Sequence, residues 1–372
     1  MQQRADVVNA RLLASLLARL LVQLLTKSAK DSIRKVEDSL YGCLFVSIEK
    51  GGGKKMKLRK RAASLVLSLT MLACSLASAS ALSYSEIQQI KGNDRYATAS
   101  GIAGEYGLYD SVILVNADKN KLADGLSASG LAGVIKAPIL LVHKDSIPNE
   151  AQLRMEIAKK IYIIGSNDSV SSDIENRLRS QGGFTVKRIG GQNRYETSNN
   201  VANEILSIKG AVGKVFIANG SRGEADAMSI SAVAARDGEP ILLTNGTSIS
   251  STARTISETT KNVYAIGGVD SISSRLVSSL GAVRVSGNSR YLTNTQVIRT
   301  FYRDAPYKYI LSDGYKLVDA LTGGPLAGRN NAPIVLVSAN SDKSVLRGAK
   351  SLISLGGISQ SVLTKCAAET NR

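Results

Sequence analysis

The sequence predicts an α/β protein made of three tandem three-layer modules with parallel sheets. The first sign is repetition. Arg-Tyr-x-Thr cores start at Arg95, Arg194 and Arg290, at intervals of 99 and 96 residues. Each is followed by an aspartate that opens a small-residue stretch, at Asp124, Asp226 and Asp319, and then by a Pro-apolar run. About 97 residues is a small domain, too long for a solenoid unit of roughly 20–50 residues. The second sign is the apolar runs themselves, continuous rather than alternating and separated by helix-like segments, as in parallel strands covered on both faces.

Each module reads in the same order. Asp94, Asn193 and Ser289 are good helix caps, and an amphipathic helix such as Glu196–Leu206 follows. Short apolar strands come next, at Ser111–Val115, Lys214–Ala218 and Tyr309–Leu311. The small-residue helices are expected over Asp124–Ile135, Asp226–Arg236 and Asp319–Ala327. The strands Pro138–Val142, Pro240–Thr244 and Pro333–Val337 place proline first, where no ladder donor is needed. Another helix leads to Ile161–Gly165, Val263–Gly267 and Leu352–Gly356, and a last helix and strand return the chain to the next motif. After Leu363-Thr-Lys-Cys366 a closing strand is missing. The modules are thus bounded at 90–187, 188–284 and 285–372, the third curtailed, either because it ends differently or because the C-terminus is altered.

Upstream, Lys57-Leu-Arg-Lys-Arg61, the apolar Ala62–Ala77 and Ala79-Ser80-Ala81 form the three regions of a secretory signal peptide over 56–81. It is too short for a membrane span, so no membrane association is expected after cleavage. Residues 1–55 read as a mistranslated upstream segment. Gly51-Gly52-Gly53 and Lys54-Lys55 before Met56 look like a translated ribosome-binding site. Of the net charge of +17, residues 1–81 carry +9 and the remainder +8, a moderate excess suited to an anionic polymer. Only Cys366 lies beyond residue 81, so no internal disulfide is expected.

The search for catalytic chemistry returns little. The single histidine, His143, has Asn245 and Ser338 as its counterparts. There is no zinc-type spacing, nucleophile elbow or Walker loop. Gly190-Gly191, Gly267-Gly268 and Gly356-Gly357 follow strands without continuing as G-x-G-x-x-G, and read as turns. A nucleotide-binding enzyme is therefore disfavoured, and export argues against nucleic acid as a partner. No catalytic residue, cofactor or metal site is expected.

The repeated Arg, Tyr and Asp residues remain. Arginine in a first helical turn opposes the helix dipole, so another interaction holds it. One reading is a salt bridge of Arg95, Arg194 and Arg290 with Asp124, Asp226 and Asp319 respectively. The other is a cationic cleft at the carboxyl ends of the strands. There the guanidinium forks onto phosphate or carboxylate, and Tyr96, Tyr195 and Tyr291 stack on a sugar or hydrogen-bond it. Both stand, and they coexist if the aspartate orients the arginine.

The ordered motifs Gly-x-x-Arg-Tyr-x-Thr, Ala-Asp-Gly-Leu-Ser-Ala, Ala-Pro-Ile-Leu-Leu-Val and Ile-Ile-Gly resemble the cell wall-binding repeat type 2 family of Gram-positive surface proteins. The resemblance covers about residues 90–372. It implies three Rossmann-like modules in a pseudo-threefold arrangement, forming a secreted, non-catalytic anchor on an anionic secondary cell-wall glycopolymer, with surface-layer proteins as possible neighbours. Mapped onto this chain, the polymer-binding residues are Arg95, Tyr96, Asp124, Arg194, Tyr195, Asp226, Arg290, Tyr291 and Asp319. The third copy departs from the pattern at Val318-Asp319-Ala320-Leu321-Thr322. The alternative is the anchor portion of a wall hydrolase of the N-acetylmuramoyl-L-alanine amidase type, its catalytic domain absent from this chain.

Overall fold

In the computed structural model, which describes residues 82–118 and 122–372, one order of elements is run through three times. The leader regions 1–55 and 56–81 lie outside the described residues. A first strand, β1 (Gln88–Ile90), precedes module 1. Module 1 comprises α1 (Arg95–Tyr106), β2 (Ser111–Asn116), α2 (Ala128–Val134), β3 (Ile139–Val142), α3 (Asn149–Met155), β4 (Lys160–Ile164), α4 (Ser172–Ser180) and β5 (Thr185–Ile189). Module 2 repeats this as α5 (Arg194–Lys209), β6 (Lys214–Asn219), α6 (Glu224–Asp237), β7 (Ile241–Thr244), α7 (Ser251–Glu258), β8 (Asn262–Ile266), α8 (Ser274–Ser279) and β9 (Val283–Val285). Module 3 has α9 (Arg290–Phe301), β10 (Lys308–Asp313), α10 (Val318–Arg329), β11 (Ile334–Val337), β12 (Ser351–Leu355) and α11 (Gln360–Glu369).

The caps act as their chemistry requires. Asp94 Oδ1 accepts from Ala97 N at 2.8 Å, Asn193 Oδ1 from Tyr195 N and Glu196 N, and Ser289 Oγ from Leu292 N. The Pro138, Pro240 and Pro333 carbonyls accept from the neighbouring strand, so each proline opens its strand without a missing donor. Two expected helices differ. Asp124 lies in a 3-10 turn over Leu122–Ser127 before α2, where Gly125, Gly130 and Gly133 lower α-helix propensity. Between β11 and β12 only the 3-10 turn Ser344–Leu346 forms; there the Lys343 ammonium ties the Ser338 and Ser341 carbonyls together.

All three sheets are parallel and four-stranded, in the orders β3-β2-β4-β5, β7-β6-β8-β9 and β11-β10-β12-β1. The third module lacks a closing strand of its own, and β1 from the start of the described chain takes that place. It pairs in parallel with β12, Gln88 opposite Ile353 and Ile90 opposite Leu355. The tandem array is therefore a closed ring, with the third sheet built from both ends of residues 82–372.

The ring turns about α2, α6 and α10, which pack on one another. Their small residues permit backbone-close contact. Gly130 and Gly133 face the backbone of Glu239 and Ala235, Gly328 faces that of Arg236, and Gly324 meets the hydroxyls of Ser129 and Ser231. Ser129, Ser231 and Gly324 each lie five residues after their module's aspartate, which places them on the pseudo-threefold axis. The largest apolar cluster runs through all three modules and is dominated by Ile, Leu, Val and Ala. Among the described residues no helix is long and apolar enough to cross a membrane.

Candidate functional site

The Gly-x-x-Arg-Tyr-x-Thr motif first builds itself. Gly92, Gly191 and Gly287 donate their N–H to the hydroxyls of Thr98, Thr197 and Thr293 at 3.0–3.1 Å, which draws the loop onto the helix that follows. A side chain on any of these glycines would collide with Ala97, Glu196 or Leu292. Glycine and threonine are thus structural, and the arginine is held at the loop's outer edge.

Each arginine is aimed by a carbonyl just beyond the second strand of its sheet. Arg95 Nη1 donates to Ala117 O at 2.6 Å, Arg194 Nη1 to Gly220 O at 2.6 Å, and Arg290 Nη1 to Gly314 O at 2.8 Å. Arg95 and Arg290 are exposed and Arg194 is half-buried. The respective pairing of Arg95, Arg194 and Arg290 with Asp124, Asp226 and Asp319 is not formed. None of the three makes an ion pair within 4.0 Å among the described residues.

The electrostatic partnership is crossed between modules instead. Burial pushes Asp226 up to about 6, and the charge that pulls against burial is that of Arg290 from module 3. Burial likewise pushes Asp319 up to about 6, opposed by Lys316 and by Arg95 from module 1. Helix α5, which Arg194 opens, packs on the turn that holds Asp124. Ring geometry is the cause: each central helix packs on the arginine helix of the following module, so the arginine of one module acts on the aspartate of the module before it, Arg290 on Asp226 and Arg95 on Asp319.

Every aspartate sits over the glycine that ends the third strand of its own sheet, Asp124 over Gly165, Asp226 over Gly267 and Asp319 over Gly356. These glycines have φ of 114°, 126° and 68°, which favours glycine and leaves room for the carboxylate. Asp226 is 9% exposed and accepts from Ser271 Oγ at 3.1 Å. Asp319 is 7% exposed, and the loop from Gly356 to the helix cap Ser359 is three residues shorter than that from Gly267 to the cap Ser273, so the segment that carries Ser271 in module 2 has no counterpart. At the junction of modules 2 and 3 a cavity of about 490 Å³ opens between Arg222, Asp226, Asp270, Ser271, Asn288 and Arg290.

The motif tyrosines turn inward, toward their own modules. Tyr96 OH contacts His143 Nδ1 at 3.0 Å and Asp118 Oδ1 at 3.3 Å, while His143 Nδ1 and Asp118 Oδ1 lie 2.6 Å apart. Burial, then Asp118, pushes the Tyr96 phenol up to about 12. Tyr195 OH pairs with Ser221 Oγ at 2.8 Å, and the Tyr291 ring lies against Gly314. All three rings are half-buried and pack on apolar clusters. The position after the arginine's carbonyl partner is Asp118, Ser221 or Tyr315, a variation that the repeat pattern conceals because the offset from the arginine changes between copies. An aromatic in the polar turn Asp313-Gly314-Tyr315-Lys316 was the available signal.

The family profile described as Cell wall binding domain 2 matches the chain three times, at residues 89–175, 188–277 and 284–362. The chain is similar to the N-acetylmuramoyl-L-alanine amidase LytC of Bacillus subtilis (strain 168), 30% identical over 294 residues, covering 77% of this chain and 57% of that protein. It is similar to the amidase enhancer of the same organism, 32% identical over 271 residues, covering 70% of this chain and 36% of the enhancer. Among solved structures, Cwp6 from Clostridium difficile superposes with a TM-score of 0.72 at 32% identity, over 78% of this chain and 48% of Cwp6. Cwp8 from Clostridium difficile gives 0.70 at 33% identity, over 77% and 52%. The chain thus spans less than two thirds of the length of each of these relatives.

Proposed function

Because the chain belongs to the Cell wall binding domain 2 family, we propose that it is a secreted, non-catalytic anchor that holds an anionic secondary cell-wall polymer at its three module junctions. The observation that carries this is the placement of Arg95, Arg194 and Arg290 on helices at the junctions, Arg95 and Arg290 exposed and Arg194 half-buried, each free of an ion-paired carboxylate among the described residues. A guanidinium fixed by one N–H to a carbonyl keeps its remaining donors for phosphate or carboxylate. The aspartate of the preceding module, buried in the case of Asp226 and Asp319 and half-buried in that of Asp124, suits a hydroxyl of the same polymer. Three such junctions on one rigid ring meet a repeating polymer several times over. Later contacts become intramolecular, and avidity exceeds that of a single site by roughly 10²–10⁴. Surface-layer proteins are the neighbours expected at such a wall.

Sedimentation of the purified protein with cell walls tests this. Binding is expected, weakening with salt and disappearing once the walls are acid-extracted of secondary polymer. The triple variant Arg95→Ala, Arg194→Ala, Arg290→Ala is expected to stay soluble. Undiminished sedimentation by that variant, correctly folded, would overturn the assignment. A second reading, the anchor portion of an amidase-type hydrolase, is favoured by the likeness to the Bacillus subtilis amidase. Both readings expect this chain to release no soluble fragments from purified walls.

A further inference from the structure

We propose that Tyr315 is a sugar-stacking platform, which makes the junction of modules 2 and 3 the one that grips a glycan ring together with its anionic group. This deepens the wall-binding reading and rests on it. Stacking on sugar is the role the sequence suggests for Tyr96, Tyr195 and Tyr291, yet their rings are half-buried and packed within their own modules. Tyr315 differs, being 71% exposed although its ring is large and apolar.

The ring is also pre-positioned. Its backbone N–H donates to Asp313 Oδ1 at 2.8 Å, which fixes the turn. The Arg290 guanidinium carbon lies 5.2 Å from the ring centroid, and Tyr291 meets the ring edge-on with centroids 6.3 Å apart. Arg290 is in turn locked to Gly314 O, the residue before the tyrosine. Guanidinium and ring are therefore a single unit, with Arg290 also lining the cavity of about 490 Å³ that holds Asp226, Asp270 and Asn288. A pyranose offers an apolar C–H face to an aromatic ring and hydroxyls at its edge. Placed on Tyr315, it presents an attached phosphate or carboxylate to Arg290 and turns its hydroxyls toward the cavity. Asp118 and Ser221, the equivalents in modules 1 and 2, offer no such face.

The chain contains no tryptophan, so Tyr315→Trp installs a lone fluorescent reporter that keeps an aromatic face. Its emission is expected to change on titration with acid-extracted anionic wall polymer. Leu108→Trp, an exposed site beside the cavity at the opposite ends of the central helices, is expected to stay silent. Tyr315→Ala, with an unaltered thermal melt, should bind walls roughly tenfold more weakly at an unchanged salt dependence, whereas Arg290→Ala should flatten that dependence. Wild-type-like binding by Tyr315→Ala, or unresponsive Trp emission while the wild-type chain sediments with walls, overturns the platform and leaves the wall-binding reading standing. If the wild-type protein does not sediment with walls at all, both fall.

Discussion

Gly133→Ala is the sharpest test of how the ring is held together, because two effects of opposite sign compete there. Gly133 lies in α2, and alanine in a helix interior is favoured over glycine by about 1 kcal/mol. The structure sets against this a collision with backbone. A Cβ at position 133 would lie 2.6 Å from the Ala235 carbonyl carbon and 2.8 Å from its Cα, where ordinary contact is 3.4–4 Å, and the carbonyl oxygen is nearer still. A helix backbone cannot swing aside as a side-chain tip does, so α2 and α6 must part by most of an ångström. Overpacking of this kind costs about 1–3 kcal/mol, and occasionally more. With backbone as the obstacle we take the upper end, for a net loss of about 2 kcal/mol. In a unit of this size that lowers Tm by roughly 4–8 °C. Calorimetry would read it directly, with Gly268→Ala as the control: nothing lies within 4 Å of a Cβ at 268, and a change within about 0.5 kcal/mol is expected. If Gly133→Ala melted at or above the wild-type temperature, the close central packing would be wrong and helix propensity would have decided the outcome.

Two other perturbations test the junctions and the ring closure. Burial raises Asp226 and Asp319 to about 6 from an ordinary value near 4, so the folded chain holds these protons more tightly than the unfolded chain does. Their contribution is then fully present below about pH 4 and lost as pH rises through about 6. Asp226→Asn and Asp319→Asn should each stabilise the protein at pH 7 by up to roughly 3 kcal/mol, a gain that vanishes in urea titrations near pH 4. A gain equal at both pH values would show that the charge is not what burial penalises. Ile90→Ala, in the strand that closes the third sheet and 7% exposed, should cost about 2–5 kcal/mol. Hydrogen-exchange protection should fall in β12; a loss confined to module 1 would refute the ring closure.

The repeat made much of this structure readable in advance. Three copies of a cap, an aspartate and a Pro-apolar run reveal parallel α/β modules because burial on both faces demands continuous apolar strands and a first-position proline demands a strand start. Those are local constraints, written into neighbouring residues. The identities of Arg95, Arg194 and Arg290 as a set were legible for the same reason. Their surroundings were not. Arg290 lies near Asp226 rather than Asp319 because Gly130, Gly133, Gly324 and Gly328 let the central helices close into a ring, and the direction in which a ring closes is no property of a single repeat. The missing last strand is of the same kind: β1 fills it from the far end of the described chain, a pairing that no local pattern encodes. Tyr96, Tyr195 and Tyr291 turn inward and Tyr315 outward because packing against each strand end, rather than residue type, decides which aromatic face stays open.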